Sequence, residues 1–197
     1  MNSCETAYRR VFDAWSSGEH ATALELCREL LRDFPEYNIA WVLKGVLLYE
    51  LARYPEAEQV LREAIRSIPL EQLQHGYTHL GHLYLESGNY DEAETWYRKA
   101  IELAPDDAGR HVFLGALLAK KGDFRGAEEC HRKGTLCSKG CVDEAYLNLG
   151  LVLRAQERYE EALECFKRAL ELTPDYEKAI IGKSDMEKAI SFLRANA

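Results

Sequence analysis

Proline is scarce in this chain, five residues among 197, and no segment approaches the length of apolar run that a membrane needs. A spanning helix requires roughly 18 such residues in succession, so a membrane is not expected as a partner. Few prolines and 13 glycines argue against a mostly irregular chain. Cations are also in deficit, with 25 Lys and Arg against 33 Asp and Glu and a formal charge of -8. Neutralising phosphates takes clustered Lys and Arg, so nucleic acid is not expected, and an anionic membrane surface is disfavoured for the same reason. Six cysteines are too few for a disulfide scaffold. Cys4, Cys27, Cys130 and Cys165 fall inside helical patterns, where a thiol behaves as a small apolar residue. The opening residues lack an apolar stretch behind a basic start, so the reading expects no secretory leader and a cytoplasmic location.

Catalytic signatures are missing as well. There is no phosphate-cradling glycine loop, nucleophile elbow or zinc-protease motif. Carboxylate pairs such as Asp91-Glu92 and Glu160-Glu161 stand where helices begin, and there they complement the helix dipole. The sequence is therefore read as non-enzymatic, with no catalytic residue, no metal and no cofactor.

What the chain does have is self-similarity. Gly88-Asn89-Tyr90-Asp91-Glu92-Ala93 is matched by Glu157-Arg158-Tyr159-Glu160-Glu161-Ala162, and Ala100-Ile101-Glu102-Leu103-Ala104-Pro105 by Ala169-Leu170-Glu171-Leu172-Thr173-Pro174. The alanines Ala23, Ala57, Ala93, Ala127 and Ala162 recur at intervals of 34, 36, 34 and 35 residues by subtraction. Pro35, Pro69, Pro105 and Pro174 keep the same register, and the fourth unit has Lys139 where its proline would stand. Within a unit, Tyr77, Leu80, Gly81 and Tyr84 are spaced by three and four residues, which is one helical face. Gly18, Gly88 and Gly122 share a repeat position suited to a left-handed residue that stops a helix. Small residues at Gly45, Gly81, Gly115 and Gly150 let two helices approach closely, and Trp41, Tyr77, Tyr97 and Phe166 fill the gaps. A single unit cannot bury its face alone, so the units must stack.

This series of Trp or Tyr, Leu-Gly, Tyr, Ala, Phe or Tyr, Ala and Pro resembles the tetratricopeptide-repeat family. The third unit matches it best through Tyr77, Leu80, Gly81, Tyr84, Ala93, Tyr97, Ala100 and Pro105; the opening half of the first, with Ala7, Arg10, Val11 and Ala14, is degenerate. The resemblance implies an all-α fold, a right-handed superhelical solenoid of antiparallel helix pairs. Five repeats are expected at about 4–37, 38–73, 74–107, 108–142 and 143–176, in a single domain over 1–197. Residues 177–197 are expected to form a capping helix with one polar side, carrying Lys183, Asp185, Glu187 and Lys188.

The resemblance also implies a function: a scaffold that binds a peptide or helix of a protein partner in a concave groove lined by the first helix of each pair. Carried over position by position, the groove residues are Tyr8, Arg9, Phe12, Val42, Leu43, Val46, Tyr49, His75, Thr78, His79, His82, Val112, Phe113, Asn148 and Leu151. The family's carboxylate clamp for acidic chaperone tails needs Lys and Asn where this chain has Tyr8 and Phe12, Val42 and Val46, or Thr78 and His82, so that ligand is not expected. An apolar groove with a histidine patch fits an amphipathic helix or an extended apolar peptide instead. Some of these side chains have the alternative role of packing the solenoid. Homodimerisation, or assembly through the convex face or the ends, also remains open.

His75, His79 and His82 lie on one helical face. Three imidazoles are metal-ligand chemistry, but residues on successive turns of a straight helix converge poorly on one centre. The reading prefers polar groove residues able to make binding pH-sensitive. Cys130-His131 with Cys137 and Cys141 replaces the usual proline turn, and zinc, a regulatory disulfide and ordinary packing all remain open there, with packing preferred.

Overall fold

The computed structural model describes residues 3–196, apart from the side chain of Glu71. Among the described residues it is a succession of antiparallel α-helix pairs with no named strand. The pairs are α1 (Ser3–Ser16) with α2 (His20–Asp33), α3 (Asn38–Glu50) with α4 (Tyr54–Ala64), α5 (Leu73–Glu86) with α6 (Tyr90–Leu103), α7 (Ala108–Lys120) with α8 (Phe124–Thr135), and α9 (Val142–Ala155) with α10 (Tyr159–Leu172). A longer helix, α11 (Glu177–Ala195), follows. A short 3-10 turn, Leu70–Gln72, precedes α5. The helices gather into two compact units, Met1–Ala100 and Ile101–Ala197.

One geometric device builds the pairs. A glycine on the first helix meets the large side chain sixteen residues later on the second. A Cβ at Gly45 would lie 2.5 Å from Leu61, one at Gly81 2.4 Å from Tyr97, one at Gly115 2.5 Å from His131 and one at Gly150 2.7 Å from Phe166. No real Cβ tolerates such distances, so the missing side chain is what lets the two backbones close on a ring or a leucine. In the first pair the same two positions hold Val11 and Cys27, both fully buried. The bulk has moved from the second helix to the first, and the thiol donates to the Ala40 carbonyl at 3.3 Å. The degenerate repeat is thus filled by a volume exchange.

The turns inside the pairs use a left-handed residue. Gly18, Gly88 and Gly122 have φ of 78°, 80° and 84°. Ala52 and Glu157 occupy the equivalent position with φ of 57° and 61°, where a side chain is disfavoured.

In the first unit, Arg62 on α4 donates to the Tyr84 hydroxyl of α5 at 2.8 Å, and that hydroxyl donates to Glu58 at 2.7 Å. This ties one pair to the next. The Trp41 indole donates to the Pro35 carbonyl at 2.8 Å. In the second unit His111 stands at the same repeat position, and its Nε2 bonds the Pro105 carbonyl at 2.9 Å. The imidazole therefore does the anchoring that an indole does elsewhere.

The segment that replaces the proline turn, after α8, docks on the start of α7. Asp106 accepts from the Ser138 amide at 2.8 Å and also from its hydroxyl. Ala108 N–H donates to the Lys139 carbonyl at 2.9 Å, and Asp107 caps α7 through Gly109 N–H at 3.0 Å. At the far end of this unit, Ala179, Met186 and Ile190 of α11 are buried. Gly182 brings that helix against the same Phe166 ring that Gly150 receives. The ring is therefore packed from both sides, and α11 closes the apolar face that α9 and α10 leave open.

Candidate interaction face

The first helices of the pairs carry the residues expected to line a groove. The structure distributes them between the two units: Tyr8 through His82 in the first, Val112 through Leu151 in the second. Each unit is described on its own.

In the first unit, two concavities gather them. One, of about 460 Å³, is lined by Glu5, Tyr8, Arg9, Phe12 and Tyr37. Its walls are aromatic: Tyr8 meets Tyr37 edge-on with centroids 5.5 Å apart, and Phe12 meets Trp15 at 5.4 Å. The other, of about 430 Å³, is lined by Ile39, Val42, Ile68, Gln72, His75 and His79. Phe12 and Ile39 are 44% and 42% exposed, so apolar surface faces solvent at both places. Ile68 and Tyr37, which lie outside the first helices, complete these walls. Sequence reasoning did not place them there, because they belong to the connections between pairs.

Leu43, Val46 and Thr78 are buried and offer no open surface. Leu43 and Val46 sit within the packing of α3 against its neighbours. The Thr78 hydroxyl turns back to donate to the Gln74 carbonyl at 2.8 Å. Tyr49 is half-buried; burial, then the nearby Glu50 and Glu86 carboxylates, push its phenol well above the usual range. Arg9 is exposed beside Glu5.

The three histidines divide by environment. His75 is exposed and His79 half-buried, and both line the second concavity. The His82 ring lies 6.1 Å from that of His79 by centroids, and its Nδ1 hydrogen-bonds the Tyr97 hydroxyl at 2.8 Å. His82 is thus turned toward α6. Among the described residues, no three His, Cys, Asp or Glu side chains come together as a metal-binding group.

In the second unit Val112 is buried, and Phe113, Asn148 and Leu151 are half-buried. Asn148 spends its amide on the Glu144 carbonyl of its own helix at 3.0 Å. Leu151 packs against the cluster around Phe166. The cysteines divide by burial: Cys27, Cys130 and Cys165 are buried, Cys4 and Cys137 half-buried and Cys141 exposed. Cys130 is buried at the repeat position that Cys165 fills in α10, and burial pushes the Cys165 thiol up to about 11. Cys137 donates to the Lys133 carbonyl at 3.4 Å, and Cys141 precedes α9. No helix among the described residues is long and apolar enough to cross a membrane.

Comparison with known proteins agrees with the architecture. Sequence profiles described as "Tetratricopeptide repeat" match residues 8–71, 75–107 and 143–176. Human protein O-mannosyl-transferase TMTC1 is 28% identical over 144 residues, covering 73% of this chain and 16% of the relative. Human tetratricopeptide repeat protein 7A is 32% identical over 133 residues, 67% of this chain and 15% of that protein. The chain therefore spans only a small part of either relative. The solved C-terminal part of a TPR repeat-containing protein from Cytophaga hutchinsonii superposes with a TM-score of 0.71 at 18% identity, covering 93% of this chain and 71% of that one. At that identity the likeness is one of fold.

Proposed function

We propose that this chain, which belongs to the tetratricopeptide-repeat family, is a non-catalytic scaffold that binds a segment of a partner protein on the face made by α1, α3 and α5. The observation that carries this reading is the pair of open concavities along the first helices, with apolar Phe12 and Ile39 left exposed where Val11, Leu43, Val46 and Leu80 of the same helices are buried. Surface of this kind marks interfaces. The carboxylate-clamp ligand is disfavoured, since apolar and histidine side chains stand where its cations would be needed. Within this reading the partner is protein rather than nucleic acid or lipid, and the location is cytoplasmic; fractionation of the source cells tests the latter.

The test is substitution on the open surface. Phe12→Asp and Ile39→Asp change exposed side chains, so the fold should survive, as circular dichroism would report. A partner purified with the wild-type chain should then bind each variant at least roughly tenfold more weakly, since each change puts a charge into an apolar contact. Unchanged affinity in both variants moves the site off this face.

A second reading has its own observation. Ile180, Ile181, Phe192 and Leu193 of α11 are 47%, 60%, 68% and 51% exposed, more apolar surface than a terminal helix facing only water should show. Assembly through this end, with another copy or within a larger complex, is the alternative. Light scattering at increasing concentration distinguishes a self-associating chain from a monomer.

A further inference from the structure

Resting on the reading of the α1, α3 and α5 face as the binding surface, we infer that the bound segment is basic and amphipathic, with an apolar side chain for the groove between α3 and α5 and a Lys or Arg three to five residues away for the carboxylates of Glu50 and Glu86.

The argument begins with where those two carboxylates stand. Glu50 is the last residue of α3 and Glu86 the last of α5. A helix C-terminus already carries partial negative charge, and cations are the stabilising residues there. Here α1, α3 and α5 have no basic residue in their last turns, whereas α7 and α9 have Lys120 and Arg154. The acidic edge is thus confined to the unit that carries the open apolar groove. After burial, the Glu50 and Glu86 carboxylates both push the Tyr49 phenol upward, so their charges act on one place.

Among the described residues no cation pairs with Glu86, and Glu50 is met by His20 and Trp15 at one oxygen only. Arg53 is bound bidentately by Glu56 at 2.8 and 2.6 Å. Lys44 lies over the Trp41 ring, 4.8 Å from its centroid. His20 Nδ1 is 2.5 Å from Glu50 Oε2, and the Trp15 indole donates to that same oxygen at 2.8 Å. Both contacts use Oε2, and the indole fixes the carboxylate in place. Glu86 is exposed and makes no hydrogen bond or ion pair among the described residues.

Helical geometry then sets the spacing. His79 and Glu86 are seven residues apart, about 10 Å and two turns along one stripe of α5. Ile39 and Glu50 are eleven apart, about 16 Å and three turns along the matching stripe of α3. An extended segment advances about 3.3 Å per residue, so three to five residues carry it from the apolar groove to the acidic edge.

The experiment is selection of a random twelve-residue peptide library displayed on phage against the full chain, the Glu86→Lys variant and the Ile39→Asp variant, each checked for fold by circular dichroism. Peptides enriched on the wild type should share an apolar residue with Lys or Arg three to five positions away. A labelled representative should bind roughly tenfold more weakly when that cation is changed to Glu, and similarly more weakly to Glu86→Lys. Enriched peptides that need the apolar residue and Ile39 but show no preference for a cation overturn this inference and leave the groove reading standing. Peptides that bind Ile39→Asp as well as wild type, or no enrichment at all, overturn the groove reading and the inference with it.

Discussion

Arg158, at the start of α10, reaches Glu128 on α8 and holds both carboxylate oxygens from one nitrogen, at 2.9 and 2.8 Å. It also donates to Glu161 at 2.7 and 2.6 Å, and Arg132 joins the same Glu128 at 2.8 Å. Burial pushes the Glu128 carboxyl up, and Arg132 and Arg158 more than reverse it, so the folded group titrates below the usual carboxylate range. Glu128 is only 17% exposed, unlike the members of ordinary surface pairs. A double-mutant cycle on Glu128→Gln and Arg158→Met should therefore show a clear favourable coupling. The same cycle on the exposed Arg53 and Glu56 should show little, as isolated surface pairs generally do. Since the folded pKa of Glu128 is depressed, its contribution is present above the unfolded pKa and is lost as pH falls through the folded value.

His131 supplies a second acid-sensitive point. It is 1% exposed, its ring lies against Gly115, and its Nδ1 makes no hydrogen bond among the described residues. Burial holds its pKa down to about 4. The folded state therefore binds this proton less readily than the unfolded chain, and stability falls as pH drops from about 6.5 toward 4. A shift of this size corresponds to about 3 kcal/mol by pH 4. His131→Phe, which copies the residue that α10 uses at this position, should flatten the decline; denaturant titrations at pH 7 and pH 4.5 would show it.

The two turns without glycine carry backbone strain that substitution should relieve. Glu157→Gly is expected to stabilise the fold by about 1 kcal/mol, since a side chain at positive φ costs roughly that. Gly88→Ala should destabilise it similarly; no atom lies within 4 Å of the added Cβ, so the cost there is in the backbone alone. Thermal unfolding of the two variants should move in opposite directions.

The exchange of bulk between Val11 and Cys27 can be reversed. Cys27→Phe alone overpacks a buried site and should cost about 2 kcal/mol. Val11→Gly alone leaves a void and should cost a similar amount. The double variant restores the arrangement of Gly150 with Phe166 and should recover much of the loss, which a cycle of the four proteins would measure.

The helix pairs were legible in the sequence because the alanine period and the glycines at Gly45, Gly81, Gly115 and Gly150 carry packing rules that act locally. The structure adds which residue each glycine receives, and shows that Val11 and Cys27 obey the same rule with the sizes exchanged. The face was only partly legible. Helical position alone does not separate Val42, which lines a concavity, from Leu43 and Val46, which neighbouring helices cover. Cys137 read as an oddity and the role of His111 carried no signal, because the Pro105 carbonyl that both approach is brought to them only by folding, at 3.7 and 2.9 Å. Ile68 and Tyr37 carried no signal, since their place in the walls depends on how connections run between pairs.

The most direct test of the central claim is photo-crosslinking in the source cells, with a benzophenone amino acid at Ile39 on the proposed face and, separately, at Gln59 on the exposed side of α4. The account predicts a discrete protein adduct from position 39 that is lost when Phe12 is changed to Asp, and none from position 59. An adduct from position 59 with none from position 39 would contradict it.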